Sequence, residues 1–174
     1  LAEQMDAAGY FIFCVVQFLS SAYPSIDVWC EPGNHGRNKI THPGRATSSK
    51  WNGFETNVYK FVARQCSQFP NVKFHIPRAP ALVVPLFSHN ALMTHGDTDL
   101  KLKAPSASGG KASWGAALDK VNAENRYGCP IQMIMAGHYH DPDVMYFGNG
   151  VCLANGALVP DNGHARTAGY SSVC

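Results

Sequence analysis

The sequence predicts an α/β protein whose strands end in histidine-bearing loops. Three observations lead there. Apolar runs of helical and strand-like pattern alternate along the chain. Three of them run directly into Gly33-Asn34-His35, His95-Gly96-Asp97 and Gly137-His138-Tyr139-His140. Glycine-centred turns such as Gly148-Asn149-Gly150 separate the C-terminal strands.

Residues 2 to 20 form a mostly apolar helix, and Ser25 to Cys30 switch to a short strand pattern ending at Glu31-Pro32-Gly33. Gly36 to Lys50 is polar and holds Arg37, Lys39, Arg45 and Lys50 without an acid, which describes a loop with local positive charge. Phe54, Val58, Phe61 and Val62 recur at helical spacing, so a helix is expected over about Trp51 to Gln68, followed by a strand at Val72 to Ile76. Ala81 to Phe87 and Ala91 to Thr94 read as strands joined by Ser88-His89-Asn90. A mobile Lys/Ser/Gly loop, Leu100 to Lys111, precedes a helix at Ala112 to Arg126. Ile131 to Ala136 is a continuous apolar strand, and Val144 to Phe147 with Val151 to Ala154 form a hairpin.

Size and composition limit the function classes. The chain has 174 residues, 45% of them hydrophobic, which suits one globular domain spanning 1–174. A net charge of +2 does not advertise a nucleic-acid protein, so any basic surface is local. Six scattered cysteines without a CxxC pair fit buried reduced thiols and a cytoplasmic location. The apolar run Ala7 to Leu19 is about thirteen residues long, short of the roughly twenty a bilayer requires, and reads as a buried helix; no membrane partner is expected.

Taken singly, a histidine after a strand is ordinarily a hydrogen-bonded surface or core residue. Three such loops in one chain point to a metal centre: imidazole suits Mn, Fe and Zn, an asparagine carbonyl adds a neutral oxygen, and an HxH pair can reach two adjacent ions.

The order GNH, HGD, GHxH resembles the calcineurin-like metallophosphoesterases, which include double-strand-break-repair nucleases, over about Val28 to Asn155. GNHGR followed by a basic loop is also similar to phage-encoded, nuclease-like phosphoesterases. The resemblance implies a four-layer α/β/β/α sandwich and hydrolysis of phosphate esters with two divalent ions, Mn foremost and Fe, Zn or Ni as alternatives, about 3.5–4 Å apart. It implies Asn34, His95 and His138 on the second ion and His140 on the first, with His35 near the leaving-group oxygen as the catalytic proton donor. Asp97 would accept a hydrogen bond from a ligand histidine and fix its tautomer.

Two departures stand out. The family's N-terminal D-x-H and G-D-x-x-D blocks, which supply the bridging carboxylate, do not occur before Gly33; Asp6 and Asp27 have no histidine beside them in sequence. The expectation is that the N-terminal part of the domain is missing from this chain. Gly36-Arg37 also replaces the acid that often follows GNH, so something else must orient His35, and Arg37 offers a forked cation to substrate phosphate or else a solvated loop charge. Three readings remain open: a phosphodiesterase or nuclease taking DNA or RNA, a phosphatase acting on phosphoprotein or small-molecule monoesters, and a non-catalytic domain that keeps the fold. His42, His75, His89 and His164 lie outside the motifs, and Tyr139 is a packing or substrate-side aromatic.

Overall fold

The computed structural model describes residues 2–34, 36, 50–97 and 100–156. The chain divides into two compact units, Leu1–Arg78 and Ala79–Cys174.

In the first unit, α1 (Ala2–Ala22) leads into β1 (Ile26–Trp29), and α2 (Phe54–Gln65), with a single 3-10 turn at each end, leads into β2 (Val72–His75). β1 and β2 pair in parallel from Ile26↔Val72 to Trp29↔His75. Alternation then sends Val28, Val72 and Phe74 to one face, where they pack with Val16, Val58, Val62 and Cys66 of the helices. The opposite face carries Asp27, Trp29, Lys73 and His75. There His75 Nε2 lies 2.6 Å from Asp27 Oδ1, and its ring stacks on Trp29 with centroids 3.8 Å apart.

α1 departs from expectation. It runs for 21 residues, and among the described residues it is the helix long and apolar enough to cross a bilayer. Only Gly9 and Val16 are buried in it, while Tyr10, Phe11, Val15 and Phe18 are exposed. One stripe, Met5, Ile12, Phe13 and Val16, meets the core, and a helix apolar all round must leave its other faces uncovered in a two-layer unit. Lys50 departs as well. Counted from sequence in a basic loop, it is 1% exposed in the 3-10 turn Lys50–Asn52 and is not available to hold a phosphate.

The second unit is a five-stranded sheet in the order β3-β4-β5-β7-β6: β3 (Ala81–Leu86), β4 (His89–Thr94), β5 (Met133–Ala136), β6 (Asp143–Phe147) and β7 (Gly150–Ala154). The outer pairs are antiparallel hairpins, and β4, β5 and β7 run parallel in the middle. α3 (Gly110–Ala123) is the crossover from β4 to β5 and lays Trp114, Leu118 and Val121 on Leu92, Ile134 and Cys152. The β3–β4 turn falls at Phe87-Ser88, with His89 and Asn90 inside β4, because the register pairs Leu86 with His89. Pro85 is tolerated because β3 is an edge strand. Each unit is a mixed α/β layer pair, helices on one sheet face.

Cys14, Cys30, Cys66, Cys129 and Cys152 are free thiols. Burial pushes the Cys30 thiol up to about 12 and the Cys152 thiol up to about 11. Both groups favour the folded state while protonated, so their contribution is complete below the ordinary thiol pKa and is lost as pH rises through the folded values. Urea midpoints are therefore expected to fall between about pH 9 and pH 12, and to fall less steeply in a Cys30→Ala, Cys152→Ala variant.

Candidate metal centre

The parallel register brings three strand ends together. Thr94 pairs with Ala136 and Ala136 with Ala154, so His95, Gly137-His138 and Asn155 follow at the same edge of the sheet. The Asn155 N–H donates to the Ala136 carbonyl at 2.8 Å and keeps that edge in register one residue further. Loops at the carboxyl ends of parallel strands are where α/β sheets ordinarily bind ligands, because the sheet holds their first residues rigidly.

His95 Nε2 stands 3.2 Å from His138 Nδ1, with the rings edge to face and centroids 5.0 Å apart. Two imidazole nitrogens bonded to one ion at about 2.0–2.1 Å, with angles between octahedral and tetrahedral, stand about 3 Å apart. This pair therefore fits as two adjacent ligands of a single ion.

The backbone around the pair is strained. The Tyr139 N–H donates to the Gly137 carbonyl at 2.8 Å, closing a three-residue turn on His138, whose φ is 68°. His140 follows at φ 54°. Left-handed conformations at residues other than glycine cost on the order of 1–3 kcal/mol each and persist where the surroundings enforce them. Tyr139, between the two left-handed histidines, is tied down on several sides. Its hydroxyl shares its proton between the Leu102 carbonyl and the Gly96 carbonyl, the latter at 3.0 Å. Its ring meets that of buried Trp114 at 6.3 Å, and the Trp114 Nε1–H donates to the Lys103 carbonyl at 2.8 Å. Gly96 has φ 106°, which an L side chain rarely adopts, and its N–H donates to Thr94 Oγ1 at 3.3 Å. The buried Thr94 hydroxyl donates in turn to the Pro80 carbonyl at 3.0 Å.

Of the residues expected from sequence, the structure brings His95 and His138 into contact and puts His140 just after the turn on His138. Asp97 follows two residues after His95 and is half-buried. Asn34 lies beyond the end of β1 in the first unit. His35, Arg37, His42 and His164 lie outside the described residues. His89 sits exposed at the start of β4, with Ser88 Oγ at 3.1 Å from its Nδ1. Among the described residues no group of three or more His, Cys, Asp or Glu is placed to hold a metal ion. Sequence reading missed the bracing role of Tyr139 and missed Glu55, whose carboxylate reaches Gly36.

No family model and no curated protein matches the sequence. Among solved structures, the chain is similar to a conserved uncharacterized protein and predicted phosphoesterase from Streptococcus pneumoniae. Identity is 15%, the match covers 89% of this chain and 69% of that one, and the TM-score is 0.41.

Proposed function

We propose that this chain is a metal-dependent phosphoesterase acting by a two-metal mechanism, and a phosphodiesterase of nuclease type in particular. The supporting observation is the His95–His138 pair, two imidazole nitrogens at ligand-to-ligand spacing on adjacent parallel strand ends, held by a strained turn. When bound, divalent ions supply Lewis acidity, orient a phosphate ester and offset charge on its oxygens. His95 and His138 would hold one ion, and His140 would serve the other. Asp97 holds a ligand histidine in its tautomer. His35 donates a proton to the leaving-group oxygen. Arg37 grips a substrate phosphate through its planar fork.

The diester reading is motivated by the run of Arg37, Lys39 and Arg45, cations that suit the neighbouring phosphates of a polynucleotide. Incubating the full chain with Mn²⁺ and either bis(p-nitrophenyl) phosphate or p-nitrophenyl phosphate tests it. Faster hydrolysis of the diester, stopped by a chelator, is the expected result. Hydrolysis of the monoester alone would reassign the protein as a phosphatase. Tight metal binding without turnover of either ester would leave a binding domain.

A further inference from the structure

The turn after β1 is tied down by a residue well along the chain. Gly36 donates its N–H to Glu55 Oε1 at 3.1 Å and accepts the Phe54 N–H at its carbonyl at 2.8 Å. Glu55 stands in the first turn of α2, where the helix's unpaired amides favour a carboxylate. Its other oxygen, Oε2, is buried and has no hydrogen-bond partner among the described residues. That oxygen fills the space in front of the Gly36 Cα, since a Cβ there would lie 2.6 Å from it. Gly53 completes the fit, because a Cβ on it would lie 2.6 Å from the Gly36 carbonyl oxygen.

A partly buried carboxylate with one oxygen committed to a single backbone amide is an expensive way to end a loop, since burial penalises the charge. Its effect is to hold the peptide at Gly36 in one orientation. Position 36 has no side chain, and among the described residues Glu55 and Phe54 hold its backbone groups. We propose that Glu55 is a positioning residue for the backbone at Gly36, and through it for Asn34 and His35, which precede Gly36 in sequence. This rests on the function proposed above, which is what gives His35 its role.

The full chain, labelled with ¹⁵N, tests this with two independent readouts: the Gly36 amide resonance with its exchange protection, and Mn²⁺-dependent hydrolysis of bis(p-nitrophenyl) phosphate. Glu55→Gln keeps an acceptor oxygen and is expected to keep the Gly36 shift and to hold kcat within about threefold. Glu55→Ala loses the acceptor: the Gly36 amide moves upfield and exchanges faster, and kcat falls about ten- to a hundredfold with KM and melting temperature little changed, because a misplaced group costs rate rather than binding. Gly36→Ala pushes the carboxylate aside and loses a similar factor. The Gly36→Ala, Glu55→Ala double variant is no slower than either single one, because the methyl then occupies vacated space. An unmoved Gly36 resonance in Glu55→Ala, or a kcat loss matched by loss of folded protein, overturns the proposal. If the wild-type chain hydrolyses no ester, the function proposed above falls and the amide readout alone decides the role of Glu55.

Discussion

Replacing His138 by alanine is expected to lower Mn²⁺-dependent hydrolysis by about a hundredfold or more while leaving unfolding free energy within about 1 kcal/mol of wild type. The reasoning is local. His138 Nδ1 is one half of a facing pair 3.2 Å across, and a site with one nitrogen removed holds its ion by fewer bonds. Removing groups that merely orient metal ligands ordinarily costs 10–100-fold, so a direct ligand lies at or beyond the top of that range. Stability should change little, because the side chain is only half-buried and the backbone at φ 68° is left-handed in both proteins. His95→Ala is expected to match it, and the double variant to be no worse than either single one, since both act on one ion. Retention of more than about a tenth of wild-type rate in either single variant would remove the pair from the chemistry.

Trp114→Ala is expected to be the most damaging change to stability, at about 3–5 kcal/mol. The indole is fully buried in α3, packs in the cluster with Leu92, Ile134 and Cys152, and donates to the Lys103 carbonyl at 2.8 Å. A domain of this size has roughly 5–15 kcal/mol in all, so the variant sits near the limit of folding. Trp114→Phe separates the two contributions. It keeps most of the apolar contact and loses the hydrogen bond, for a cost of about 1–3 kcal/mol including the carbonyl left unpaired. Urea denaturation of the three proteins measures this, and a Trp114→Ala cost below about 1 kcal/mol would mean that the cavity collapses without penalty. The same substitution removes the ring against which Tyr139 rests, so hydrolysis should fall further than the folded fraction does.

Much of the strand placement along the chain was legible because its signals are short-range. The Gly148-Asn149 turn sets the β6–β7 register, and the apolar runs ending at Thr94 and Ala136 are strands. The Ser88-His89-Asn90 turn was misplaced by a residue or two, since alternation alone does not distinguish a turn at Phe87-Ser88 from one just after it. Hydrophobicity counted along α1 cannot say which faces find a partner, so the exposure of Tyr10 and Phe18 was not legible in the sequence. Lys50 read as a loop charge because nothing in its neighbours announces a buried 3-10 turn.

For the site, the motifs named His95 and His138, but their contact depends on the Thr94↔Ala136 register, which no local pattern encodes. The positive φ at His138 and His140 was equally hidden, because histidine, though enriched there, adopts that conformation in only a small minority of its occurrences. The contact of Glu55 with Gly36 bridges 19 positions and uses an acid that looks like an ordinary first-turn residue. The Asp27–His75 pair, 48 positions apart, was invisible for the same reason.

Titrating Mn²⁺ into the full chain by calorimetry at neutral pH, alongside His95→Ala and His138→Ala, tests the central claim most directly. Saturable binding in the wild type that weakens by a similar factor of about 10–100 or more in each variant is the predicted result. Unchanged affinity in both variants would contradict the assignment of the His95–His138 pair as metal ligands.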